Sequence, residues 1–159
     1  MSFALAFTVN DEPRTVEAPD GAPLLHVLRN LLDLKAARFG CGEEACGACR
    51  VLVDGAPVFA CTFSAAQAQA KPVLTAEGLA ATPIGKALIE AFLAEQAGQC
   101  GYCLSGILIA AFALLQGDAK PSRAAIGEAL DAHLCRCGAQ GRIVRAIGRA
   151  ALALEATGK

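Results

Sequence analysis

The sequence has no tryptophan, one tyrosine and one methionine, and aromatic residues make up only 5% of it. Fourteen basic side chains stand against fifteen acidic ones, and no basic run breaks that balance. With neither stacking platforms nor a cationic track along which a phosphate backbone could lie, nucleic acid is excluded as a partner. Long apolar runs are also missing, although 55% of the residues are hydrophobic. Alanine fills 35 of the 159 positions, so much of that fraction is small and helix-favouring. The longest greasy stretch, Leu104 to Leu115, is interrupted by Ser105 and Gly106 and falls short of the roughly 18 residues a membrane helix needs. It reads as a buried helix, and the chain as not itself membrane-spanning. The opening MSFALAFTVNDEPRTV has no basic region ahead of an apolar segment and no twin arginine. A cytoplasmic location is expected, although an untagged chain can be held at the inner membrane or exported through a tagged partner.

What the sequence does hold is eight cysteines. In a reducing compartment thiols do not persist as structural disulfides, so eight of them need another task. They fall into two sets of four, Cys41, Cys46, Cys49 and Cys61, then Cys100, Cys103, Cys135 and Cys137, separated by 38 residues without cysteine. Two four-ligand sites are the simplest reading.

Hydrophobic periodicity places these sets on different frameworks. Phe3 to Val9 alternates as a strand, Asn10 to Pro13 breaks it, and Thr15 to Ala18 returns as its partner. Pro23 suits a helix start, and Leu24, Leu25, Leu28, Leu31 and Leu32 recur at helical spacing. Arg50 to Val53, Asp54-Gly55 and Pro57 to Phe59 spell a hairpin with a turn dipeptide, and Val73-Leu74 adds a last strand. Past Thr82, which caps a helix predicted to reach about Gln99, the pattern turns helical. Further helices are predicted over Gly106 to Gln116, from the Ser122 cap through Leu134, and along Ile143, Ile147, Ala150, Ala151 and Leu154. The expected fold class is α+β, a sheet domain followed by a small antiparallel bundle of four helices.

Cys41-x4-Cys46-x2-Cys49 with Cys61 eleven residues on has the plant-type ferredoxin spacing for a 2Fe-2S cluster. Structural zinc accepts four thiolates too, but its sites usually present two short cysteine pairs. Gly40, Gly42 and Gly47 suit a loop that must wrap closely around sulfur. The second set, Cys100-Gly101-Tyr102-Cys103 and Cys135-Arg136-Cys137, carries less information alone, since a Cys-x2-Cys pair also occurs in thioredoxin-like sites. Those need a βαβ context, and here helices flank the pair; the Cys-x-Cys partner completes a second four-thiolate site. Two such centres imply one-electron traffic. His26 and His133 read as structural or surface residues, since Rieske ligation would need paired histidines in a shared motif. Lys35 and Arg38 read as solvated, and Tyr102 as core packing, a shield for the second set, or a bond to a partner.

In this order of motifs the chain resembles the two-cluster iron-sulfur small subunit of the xanthine oxidase family of molybdenum hydroxylases. The likeness runs through Leu28-Arg29-Asn30, Phe39-Gly-Cys-Gly42, Cys46-Gly-Ala-Cys49, Val51-Leu-Val-Asp-Gly55, Glu77-Gly-Leu79, Gln99-Cys-Gly-Tyr-Cys103, Ser105-Gly106 and Leu134-Cys-Arg-Cys-Gly138. Gln99 to Cys103 and Cys135 to Gly138 look most like the small subunits of isoquinoline and nicotinate dehydrogenases. The resemblance implies a β-grasp ferredoxin domain over residues 1–78, with a distal cluster on Cys41, Cys46, Cys49 and Cys61. It implies a helical domain over residues 79–159, a four-helix bundle with a proximal cluster on Cys100, Cys103, Cys135 and Cys137. It further implies a large catalytic subunit carrying molybdopterin, as a cytosine dinucleotide, with Gln99 and Cys137 facing the pterin. No catalytic residue is expected in this chain. Its electrons would pass to an external acceptor, a FAD subunit or a cytochrome c, and the substrate would be an N-heteroaromatic compound or an aldehyde.

Four positions depart from the family pattern. Glu44 stands where many relatives have glycine, which puts a positive-φ turn there in doubt. Leu104-Ser105 replaces a frequent Thr-Pro. Arg50 replaces the common Thr or Ser after Cys49; a cation there would raise a cluster's potential and meet an acidic acceptor, while the plainer reading of both Glu44 and Arg50 is a solvated surface charge. A free-standing two-cluster carrier is the alternative to the subunit reading, and a zinc-stabilised binding module is a third.

Overall fold

A computed structural model describes residues 2–158 as one mixed sheet with a short helix packed on it, followed by four further helices. Strands β1 (Ser2–Val9) and β2 (Glu12–Pro19) form an antiparallel hairpin in which Leu5 faces Val16 and Val9 faces Glu12. Asn10 and Asp11, with φ of 52° and 65°, make the tight turn, so Glu12 and Pro13 belong to the strand rather than to the break. Strands β3 (Arg50–Val53) and β4 (Ala56–Phe59) form the second hairpin around Asp54-Gly55. The three residues of β5 (Pro72–Leu74) join the two, running parallel to β1 and antiparallel to β3 in the order β2-β1-β5-β3-β4.

Leu5, Phe7 and Val9 alternate inward from β1 and meet Leu24, Leu25, Val27 and Leu28 of α1, which runs Leu24–His26 and widens into a π-type turn over Val27–Leu31. The wide turn closes through Leu32 N–H to the Val27 carbonyl at 3.0 Å. It takes the last residues off the α-helical phase, which is why Leu31, expected inside, is exposed and Val27 is buried in its stead.

The helical half consists of α2 (Pro83–Ala94), α3 (Leu104–Gly117), α4 (Arg123–Leu130) and α5 (Gln140–Ala156) around one apolar core. Thr82 and Ser122 cap α2 and α4 through side-chain oxygens that accept from Gly85 and Ala125 N–H. Two helices stop short of the predicted ends. Gln96 takes φ 48°, and Ala97 and Gln96 donate back to Phe92 and Leu93 carbonyls, so α2 closes in a Schellman motif at Ala94 and frees the chain to reach Cys100. At the end of α4, Leu134 N–H leaves the helical ladder for the carbonyl of Cys46, 3.1 Å away in the sheet half. Strand β3 is a shared wall: Val51 and Val53 enter the sheet core while Leu52 enters the helical one. Among the described residues no helix is long and apolar enough to cross a membrane.

Candidate metal centres

The first thiol set lies on the loop ahead of β3, with Cys61 just past β4. Backbone N–H groups of Ala45 and Glu43 point at the Cys41 sulfur from 3.2 and 3.4 Å, and that of Cys41 points at the Cys46 sulfur from 3.4 Å. The Glu43 N–H leads in lowering the Cys41 thiol from its ordinary range to about 7. Burial pushes Cys49 the other way, up to about 12, with Cys61 beside it. The loop has almost no spare volume: a Cβ on Gly40 would sit 2.6 Å from the Cys46 sulfur. Glu44 adopts φ 65°, so the tight turn persists without glycine, and its carboxylate accepts from Thr62 Oγ1.

The second set joins two helix starts. Cys100 and Cys103 precede α3, Cys103 being its N-cap residue, and Cys135 and Cys137 precede α5. Cys137 and Cys100 bring their sulfurs within 3.4 Å. Cys103 is buried against Cys135 and pushed up to about 12 by that burial. Burial also works to raise Cys135, but N–H groups at the start of α5, Ala139, Cys137 and Gly138, outweigh it and the net shift is downward. Cys100 is lowered chiefly by the Tyr102 N–H at 3.5 Å.

The eight thiols thus stand as four pairs, Cys41 with Cys46, Cys49 with Cys61, Cys100 with Cys137 and Cys103 with Cys135. Among the described residues no three Cys, His, Asp or Glu side chains gather as a single metal ion requires. Two pairs per set, facing N–H donors, suit a two-iron rhomb in which each iron takes one pair.

The two sets meet across a narrow seam. Gly47, with φ 73°, has no room for a side chain, since a Cβ would lie 2.4 Å from His133 and 2.6 Å from the Ala132 carbonyl. A Cβ on Gly106 would fall 2.0 Å from the Gly47 carbonyl oxygen, so α3 abuts the first loop through bare backbone. Tyr102 is not core packing: it is half exposed, its hydroxyl donates to the Phe39 carbonyl across the seam, and the Arg38 guanidinium lies 5.2 Å from its ring centroid instead of standing free in water. His133 is wedged in the seam with both ring nitrogens buried and unpartnered, and burial, with Arg50 nearby, lowers it to about 4. His26 pairs with Asn30 at 2.9 Å, away from both sets.

Gln99 is exposed beside the second set, its amide nitrogen donating to the Cys137 carbonyl at 2.9 Å. Gln140, which no sequence motif singles out, makes the matching bond to the Cys135 carbonyl at 2.9 Å. Its one signal in the sequence is its place at the start of a helix just after Cys-x-Cys.

Comparison with known proteins places these features in a family. A "2Fe-2S iron-sulfur cluster binding domain" matches residues 7–78 and a "[2Fe-2S] binding domain" matches residues 75–148. The chain is 41% identical to one of the subunits of nicotinate dehydrogenase from Pseudomonas putida, over 95% of this chain and 96% of that one. It is 45% identical to the alpha subunit of isoquinoline 1-oxidoreductase from Brevundimonas diminuta, over 92% and 97% respectively. The structure of quinoline 2-oxidoreductase from Pseudomonas putida 86 superposes with a TM-score of 0.91 at 32% identity, covering 99% of this chain and 98% of that one. A protein of this length, fold and cysteine order belongs to the iron-sulfur small subunits of the xanthine oxidase family of molybdenum hydroxylases, with two 2Fe-2S clusters.

Proposed function

We propose how this electron-transfer subunit is wired between an external acceptor and a large molybdopterin-bearing catalytic subunit. Cys100, Cys103, Cys135 and Cys137 hold the proximal cluster and Cys41, Cys46, Cys49 and Cys61 the distal one, on domains spanning residues 79–159 and 1–78. A bound 2Fe-2S centre accepts and gives up one electron at a time and makes no bond. The residues of the chain do the remaining work. Cys100 is exposed with Cys137 half-buried beside it, and Gln99 reaches the partner's pterin with the amide oxygen that its bond to Cys137 leaves free. The backbone of Leu134, next to Cys135, then offers a hydrogen-bonded bridge to the backbone of Cys46. That bond, tying one ligand loop to the other, is the observation that carries the reading.

The named substrates of the relatives, nicotinate, isoquinoline and quinoline, support an N-heteroaromatic substrate on the partner. We take the pterin to be a cytosine dinucleotide, the acceptor to be a FAD subunit or a cytochrome c, and the compartment to be the reducing cytoplasm, where eight free thiols persist. The test is iron and sulfide analysis with EPR of the reduced complex: two distinguishable signals are expected, and Cys49→Ala should abolish one of them. Zinc without iron, or both signals surviving in Cys49→Ala, would refute the assignment. Copurification with a molybdenum-containing chain tests the partner.

A further inference from the structure

Arg50 is not the solvated charge that its place in the sequence suggests. It follows Cys49 and opens β3, partly buried, with its guanidinium carbon 4.1 Å from the centroid of the Phe59 ring. Its Nη1 donates to the Pro57 carbonyl at 3.4 Å, and its Nε is buried with no partner. None of the five ion pairs among the described residues involves it. Of its neighbours, the Glu44 carboxylate is engaged by Thr62 and His133 is wedged in the seam with both ring nitrogens buried and unpartnered. A guanidinium held partly out of water without a bonded carboxylate is costly unless other negative charge stands close by. Burial works against its charge, while the adjoining Cys49 sulfur and, less, the Glu44 carboxylate work in favour of it.

We propose that Arg50 is the built-in counter-charge of the distal thiolate centre, held there by Phe59, and that it biases the electron toward the distal side. The inference rests on the distal assignment above. Reduction adds one electron and one negative charge to that centre, with no bond made or broken and no proton taken up. A fixed cation favours the reduced form, and partial burial keeps water from screening it. Arg50 directly follows Cys49 in the chain, whereas Cys100, Cys103, Cys135 and Cys137 precede α3 and α5, so the effect is expected to be larger at the distal centre, and that difference is what sets direction.

The experiment is an EPR-monitored redox titration of the whole complex, following both signals. In Arg50→Gln, distal reduction should become about tenfold less favourable, a fall of ~59 mV for one electron, while the proximal midpoint moves much less. Arg50→Lys, which keeps the charge, should stay close to wild type. In Phe59→Leu the cation is retained but released toward solvent, and the distal midpoint should fall by a smaller amount; this variant decides the matter should Arg50→Gln not assemble. An unchanged distal midpoint with both signals present, or Arg50→Lys falling as far as Arg50→Gln, overturns the proposal. A wild-type complex lacking the distal signal defeats the underlying assignment instead, and is recognised before any variant is made.

Discussion

Leu134 donates its backbone N–H to the carbonyl of Cys46 across 3.1 Å, joining the loop that carries Cys135 to the loop that carries the first thiol set. The side chain of Leu134 is exposed, so the contribution is the peptide group's alone. Leu134→Pro removes the donor and leaves a carbonyl in the seam short of a partner, at a cost of about 1–3 kcal/mol. Electron transfer between the centres should slow in Leu134→Pro and not in Leu134→Ala, with both EPR signals retained in each. Time-resolved reduction of the two centres is the measurement, and equal rates in the two variants would remove the bridge from the pathway.

The seam also depends on missing side chains. A Cβ on Gly106 meets the Gly47 carbonyl at 2.0 Å, and neither backbone can yield without moving a thiol-bearing loop. Gly106→Ala should therefore destabilise the protein by about 1–3 kcal/mol or more. Gly148, inside α5, has nothing within 4 Å of the point where a Cβ would stand, and Gly148→Ala should instead stabilise by about 0.5–1 kcal/mol. Thermal unfolding of the two variants should thus shift in opposite directions.

These two seam contacts mark the limit of what local sequence conveys. Local rules find both hairpins, the Thr82 and Ser122 caps and the grouping of the thiols, because each is fixed by neighbours in sequence. They overrun the end of α2 because its stop signal is Gln96 in a left-handed conformation, which glycine usually announces. They overrun the end of α4 because Leu134 trades a helical bond for one with a residue 88 positions away. Arg38, Arg50 and Tyr102 elude them for the same reason: their surroundings are built by chain segments that meet only after folding. The positive φ of Glu44 shows the converse, a tight turn kept by its surroundings after the permissive residue is gone.

Helices α2 and α5 are clasped by Glu95, which accepts from Arg145 Nε at 3.1 Å and Arg149 Nη1 at 3.3 Å. The Arg145 hydrogen bond leads in holding the Glu95 carboxyl below its ordinary range. A carboxylate depressed in the folded state adds stability that is fully present above the unfolded value of 4.5 and is lost as pH falls through the lower folded value. Wild type should accordingly lose more thermal stability than Glu95→Gln as pH drops below 4.5, and added salt should narrow the gap at neutral pH. Parallel melting curves for the two proteins across that window would show the clasp to be idle.

Gln99 and Gln140 make the same kind of bond, each amide nitrogen fixing a carbonyl of the Cys135-Arg136-Cys137 turn at 2.9 Å. If their work ended there, alanine at either position would cost a similar ~1 kcal/mol and leave the complex otherwise alike. The proposed contact of Gln99 with the partner's pterin breaks that symmetry. Both variants should keep two reduced-state EPR signals, but only Gln99→Ala should lower pterin occupancy of the purified complex and weaken the magnetic coupling between molybdenum and the proximal centre. Gln99→Glu, which keeps an acceptor oxygen but loses the donor to Cys137, separates the two roles: coupling should recover in part while the turn stays loosened. Matching behaviour of Gln99→Ala and Gln140→Ala in pterin content and coupling would confine Gln99 to the turn it braces.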